Sequence, residues 1–119
     1  MSDWADRLRS VRLLLRVEDG AFASRLLADG ARRGVRARVL GVLRWQRSID
    51  HRLDRLLTRP AGRLDPEVRA VLRMGVFEIE RLRVPAAVAT DGAVRMIRRL
   101  GKGSAAGMVN AVLRRVGRG

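Results

Sequence analysis

The chain has 119 residues, enough for one core that removes roughly two-thirds of the unfolded surface from water and too few for two. Hydrophobic residues make up 47% and charged residues 32%, which excludes a disordered basic tail, while 26 basic against 12 acidic side chains leave +14 and point to a polyanionic partner. With no Cys and a single His, disulfides, thiolate nucleophiles and metal sites built on Cys or clustered imidazoles are excluded, and no cofactor is expected.

Helical periodicity runs through the whole chain. From Trp4, apolar residues at Leu8, Val11, Leu14 and Leu15 share one side of a helix, with Arg9, Arg12 and Arg16 opposite. Glu18-Asp19-Gly20 ends it. A second helix is predicted from about Phe22 to Arg33, with Phe22, Leu26 and Leu27 inward and Gly34 as its stop. A third carries Val35, Val39, Val42 and Leu43, then Ile49, Leu53, Leu56 and Leu57, up to the breaker Pro60-Ala-Gly62; a bend near Ser48 is left open.

Asp65-Pro66-Glu67 is the strongest local signal, combining an N-cap carboxylate, a proline suited to the first helical position and an acid at the positive end of the dipole. The fourth helix should be central and buried around much of its circumference, through Val68, Val71, Leu72, Gly75, Val76, Phe77, Ile79 and Leu82. It ends before Val84-Pro85. A fifth spans about Ala86 to Leu100 with Val88, Val94 and Ile97, and Gly101-Lys102-Gly103 terminates it. Ser104 is placed to cap the last, whose stripe is Met108, Val109, Val112, Leu113 and Val116. The sum is an all-α domain of six to seven helices over residues 1–119, with no linker and no convincing strand.

Catalysis has little to stand on, and no catalytic residue is assigned. The glycines around Lys102 open a helix but lack the spacing and the preceding strand of a nucleotide-binding loop; a tight turn or a phosphate contact fits them better. Glu18-Asp19 and the pair Glu78 and Glu80 read as solvent-facing partners of nearby Arg. His51 reads as a solvated helix residue, because no nucleophile accompanies it. No stretch approaches the roughly 20 apolar residues of a membrane span, and Asp3 and Asp6 stand where a signal peptide would be basic, so a cytoplasmic chain without a membrane partner is expected.

Charge placement is more informative. All the basic residues except Lys102 are Arg, in a chain rich in Ala, Val, Leu and Gly, so part of the excess fits a coding sequence biased toward G and C. The planar Arg fork nevertheless suits bidentate grip on phosphate. After Asp91 no acid occurs, while Arg95, Arg98, Arg99, Lys102, Arg114, Arg115 and Arg118 supply half of the net charge. Solvated faces normally mix signs, so this one-sign quarter favours polyanion binding. Aromatics are few: Phe22 and Phe77 read as core, and Trp4 and Trp45 either stack on a base or pack a helix corner. That number cannot furnish the stacking sheet of an RRM or OB-fold.

The runs Val42-Leu-Arg-Trp45, Leu53-Asp-Arg-Leu-Leu57, Leu64-Asp-Pro-Glu-Val-Arg-Ala-Val-Leu-Arg-Met-Gly-Val-Phe-Glu78, Val84-Pro85, Ala93-Val94 and Met108-Val-Asn-Ala-Val-Leu-Arg-Arg115 resemble the NusB/RsmB domain family. The resemblance extends from about Leu8 to Arg115 and leans toward the N-terminal domain of RsmB-type ribosomal RNA 5-methylcytosine methyltransferases. It implies an all-α NusB-like fold of two small helical bundles and an RNA-binding role, in transcription antitermination or on ribosomal RNA. Implied ligands are RNA of the boxA or ribosomal kind, with a small-subunit ribosomal protein of the NusE type as a candidate partner. By position the resemblance assigns RNA contacts to Arg7, Arg9 and Arg12, with Lys102, Arg114 and Arg115 as further candidates; Asp3 and Asp6 interrupt the basic arm usual in the family. Asn110, inside the last motif, reads as a structural polar residue that fixes a neighbouring backbone group.

If the chain is complete, it lacks the family's S-adenosylmethionine-binding domain, and without Cys it lacks the chemistry of those methyltransferases. The expected protein is therefore not an enzyme. Two alternatives stay open: a detached RNA-docking domain of such a methyltransferase, and a protein-interaction scaffold. A DNA-binding helix-turn-helix is disfavoured because no three-residue turn leads into a polar, base-reading helix. The oligomeric state is not specified.

Overall fold

A computed structural model describes residues 4–27 and 32–119. Among these residues six α-helices follow in order: α1 (Trp4–Glu18), α2 (Ala23–Leu26), α3 (Arg33–Asp54), α4 (Pro66–Glu80), α5 (Ala86–Arg99) and α6 (Ala106–Gly117). Short 3-10 turns at Ala61–Arg63 and Gly103–Ala105 lead into α4 and α6, and no strand occurs among the described residues.

The helix α4 is the axle of the fold, packing against α1, α3, α5 and α6. Its sequence explains this, because Val68, Ala70, Val71, Leu72, Met74, Val76 and Phe77 are all buried and cover most of the helix surface. On it meet two bundles, α1 with α3 and α5 with α6, each pair also in mutual contact. Where axes cross closely, glycine makes the room. A methyl at Gly75 would lie 2.7 Å from Leu113 Cδ1 of α6, and one at Gly41 of α3 only 2.0 Å from Phe77 Cζ.

Helix ends follow their sequence signals unevenly. Gly20 (φ +109) and Gly101 (φ +78) close α1 and α5 with paired backbone bonds: Ala21 N–H to Arg16 O and Gly20 N–H to Val17 O, then Lys102 N–H to Ile97 O and Gly101 N–H to Arg98 O. Both are glycine C-caps as expected. At the other ends the capping side chains do other work. Asp65 precedes α4 without a side-chain cap bond, and its carboxylate meets Lys102 Nζ at 3.2 Å. Ser104 lies inside a 3-10 turn, and α6 starts after Ala105 without a side-chain cap.

The largest departure concerns the second and third helices. Only the single turn α2 forms among the described residues; residues 28–31 of the predicted helix, like Asp3, lie outside them. Phe22 precedes that turn with extended backbone and is 69% exposed, so it is not core; Leu27, 2% exposed, fills the interior instead. Gly34 is no stop but sits in the first turn of α3, where a methyl would lie 2.6 Å from Asp6 Oδ2. It lets α1 approach α3. The latter is continuous through Ser48 and ends at Asp54, short of Pro60, where Leu56 and Leu57 N–H groups both turn back to Leu53 O. Leu82 and Val88, expected inward, are exposed, because α4 ends at Glu80 and Val88 lies on the outer side of α5's first turn.

Candidate nucleic-acid interface

The residues assigned to RNA from sequence do not form one patch. Arg9 and Arg12 are exposed on α1, where with Arg16, Trp4, Ala5, Leu8 and Leu13 they line a shallow groove of about 400 Å³. Spacings of three and four residues put the three Arg along one face, about 4.5 and 6 Å apart along the axis. The acids of this helix are occupied: Asp6 Oδ1 lies 3.1 Å from Arg32 Nε, and Glu18 pairs with Arg69 of α4. Asp6 therefore tethers α1 to the start of α3 and does not dilute its basic face.

Arg7 is different. It is 6% exposed, and its Nε donates to Glu78 Oε2 at 2.8 Å. The same oxygen accepts from Arg38 Nε of α3, also at 2.8 Å. Arg7 thus turns into the core, where it is not available to the phosphate contact expected of it from sequence. The expectation that Glu78 faces solvent is overturned with it, since Glu78 is 0% exposed. Glu80, its neighbour in the sequence, does face outward and pairs with Arg52 at 3.3 Å.

In the C-terminal half, Arg114 lines a wide groove of about 570 Å³ between α5 and α6 with Asp91, Val94, Arg95, Arg98, Ala106, Gly107 and Asn110. Three guanidinium groups face one carboxylate there, and the first turn of α6 adds the positive end of its dipole. Arg114 Nε donates to Asn110 Oδ1 at 3.2 Å, so Asn110 steadies a side chain one turn away and not, as read from sequence, a backbone group. Arg115 points elsewhere, to a smaller groove of about 220 Å³ with Leu56, Leu57, Leu64, Met108 and Val112. Lys102 is apart from both and turns toward Asp65.

The two basic grooves join through an aromatic contact. Arg95 Cζ lies 4.0 Å from the centre of the Trp4 ring, so a residue of the α5–α6 groove stacks on a residue of the α1 groove. Arg16, Arg95 and Arg98 complete this surface; the sequence places Arg16 on the basic side of α1 and Arg95 and Arg98 in the acid-free C-terminal quarter, but none of them in the assigned set of RNA contacts. Their signal was helical spacing: 91, 95 and 98 share a face of α5, as 107, 110 and 114 share one of α6. Trp45 is half-buried on α3, with Arg81 Cζ 3.8 Å from its ring centre, and belongs to a separate region. His51 is exposed on α3. Among the described residues, no helix is long and apolar enough to cross a membrane.

Comparison with known proteins assigns the family. Residues 5–118 match the family model of NusB. The chain belongs to the NusB family. Transcription antitermination protein NusB of Halorhodospira halophila is 41% identical to it over 66% of this chain and 52% of that protein. Ribosomal RNA small subunit methyltransferase B of Xanthomonas campestris is 37% identical over 96% of this chain but only 28% of its own length. The chain spans about half the length of the NusB relative it matches and little more than a quarter of the methyltransferase. The solved structure of T. maritima NusB superposes with a TM-score of 0.88 at 22% identity, covering 99% of this chain and 92% of that one, which establishes the shared fold. In this NusB fold the motif segments mostly build the interior, with Gly75 against Leu113 and Glu78 between Arg7 and Arg38. The exposed basic face is carried mainly by residues outside the motifs, Arg9, Arg12 and Arg16 before the first of them and Arg95 and Arg98 between two others.

Proposed function

We propose that the chain is a non-catalytic RNA-binding protein of the NusB/RsmB type, one domain over residues 1–119, acting in the cytoplasm in transcription antitermination or on ribosomal RNA. The observation that carries this reading is the basic surface in which Arg9, Arg12 and Arg16 on α1 connect, through the Trp4–Arg95 stack, to Arg98 and Arg114 in the α5–α6 groove. Arg forks on rigid helices suit phosphate oxygens, while a groove beside them has room for bases of a single strand. Membership in the NusB family supports the same reading, with boxA-like or ribosomal RNA as ligand and a small-subunit ribosomal protein of the NusE type as partner.

Binding measured against salt tests it. Affinity for single-stranded RNA should fall steeply, with a log–log slope of about −0.7 per phosphate contacted. Replacing Arg9 and Arg12 by Ala should flatten the slope by about 1.4, and Arg114→Ala by about 0.7. Thermal stability should hardly move, because these side chains are exposed. A flat salt response, or equal affinity for any duplex DNA, would reject the reading.

A second reading has its own observation: the methyltransferase relative matches nearly the whole of this chain with a small part of its own. On that reading the domain docks RNA for a catalytic partner. Adding a separately produced S-adenosylmethionine-dependent RNA methyltransferase from the same cell should then raise methyl transfer to bound RNA; no stimulation leaves the first reading in place.

A further inference from the structure

We propose that the buried Arg7–Glu78–Arg38 cluster is a positioning device that sets the rotation of α1 and thereby aims Arg9, Arg12 and Arg16 along the basic surface. The inference rests on the RNA-binding reading but concerns residues that never touch RNA.

The geometry is unusual for a group whose task is stability. Two Arg side chains, buried like that of Glu78, donate through Nε to a single oxygen of its carboxylate. Glu78 Oε1 and Arg7 Nη2 are buried without a hydrogen-bond partner. The cluster therefore keeps one excess positive charge and two unmet polar atoms out of water, a costly arrangement that well-packed apolar side chains of similar volume would match or better. What apolar side chains cannot supply is direction. A directional Nε–H···O bond to a buried carboxylate fixes an angle, whereas Val11, Leu13 and Leu14 of α1 would tolerate a range of rotations against α3 and α4.

Position in the fold matches that role. Arg7 lies one turn before Val11, on the side of α1 opposite the exposed Arg9 and Arg12, so any rotation of the rigid helix that it forbids is one those residues would follow. Through Glu78 it ties α1 to α4, and through Arg38 to α3, whose Nη1 also donates to Gly34 O at 3.1 Å. On the α5 side, Gly92 presents bare backbone to it: a methyl there would lie 3.2 Å from Arg7 Nη1 and 3.3 Å from its Cδ. One side chain thus registers α1 against three helices, including the one that lines the second groove.

The test uses Arg7→Met, which removes the fork yet leaves Glu78 paired with Arg38 as a neutral couple, so that the fold can persist. Amide hydrogen exchange should quicken several-fold across α1 while α4 and α6 keep their protection. Affinity for single-stranded RNA should drop about tenfold, with a flatter salt slope approaching that of the Arg9→Ala/Arg12→Ala variant. In the Arg7→Met background, adding Arg9→Ala and Arg12→Ala should cost little more, because their contacts are already misaimed. Full additivity of the two sets, or an unchanged salt slope, overturns the proposal, since a merely structural role would weaken binding without altering which phosphates are held. Should Arg7→Met unfold the chain, Arg7→Lys, which keeps the charge but not the fork, replaces it with the same expected outcomes. Unchanged exchange in α1 overturns the proposal even if the parent protein binds no RNA, whereas absent binding with quickened exchange defeats only the RNA-binding reading.

Discussion

Glu78 and Glu80 are two residues apart and chemically identical, yet one is sealed in the core and the other exposed. Their neighbours on the helix decide it. Glu78 is seven residues after Val71 and three after Gly75, on the inward side, so spacing alone offered a clue that carboxylate chemistry overrode. Removing its charge should be severe: Glu78→Gln leaves two buried guanidinium groups without a counter-charge and should cost about 3–5 kcal/mol in urea unfolding. Arg7 was legible as basic and placed early on α1, but its direction depends on a partner 71 positions away, which periodicity cannot see. The glycines give a second check at this scale. Gly41→Ala would drive a methyl against the Phe77 ring and should lower stability by about 1–3 kcal/mol, although Ala is the better helix former.

Whole elements are legible in the sequence where strong local signals bound them. Asp65-Pro66-Glu67 marks the start of α4, and Gly20 and Gly101 mark stops, because proline geometry and positive φ are properties of single residues. Gly101→Ala should accordingly cost about 1 kcal/mol, measurable as a shift in the urea midpoint without a change of slope. At the described ends of the Phe22–Gly34 stretch the structure departs from the spacing, since apolar residues over so short a run fit several placements: Phe22 is exposed, and Gly34 serves a close approach to Asp6 in place of a helix end. Capping was legible as position but not as bonding. Asp65 occupies the cap site, yet a cation brought near from the α5–α6 turn takes its carboxylate.

For the molecule as a whole, the charge of +14 becomes a distribution. Acids such as Asp6, Glu18, Asp50 and Glu78 are drawn into pairs with Arg, which leaves the α1 face and the α5–α6 groove strongly positive. Arg69, by contrast, is an inward structural cation: burial first, and Arg73 second, push its guanidinium below the usual value, while Glu18 and the carbonyls of Gly62 and Leu64 hold it. Protein isolated from cells should carry RNA that nuclease removes together with any co-purifying partners; partners retained after nuclease would favour a scaffold in which the Arg excess is compositional. The sequence by itself determined the helical class, the central place of α4 and the family, because these follow from periodicity and short motifs. Only the tertiary structure decided which Arg face outward. The fate of a long charged side chain depends on whether a distant carboxylate meets it in the core, and that meeting is a property of helix packing, absent from any local stretch of chain.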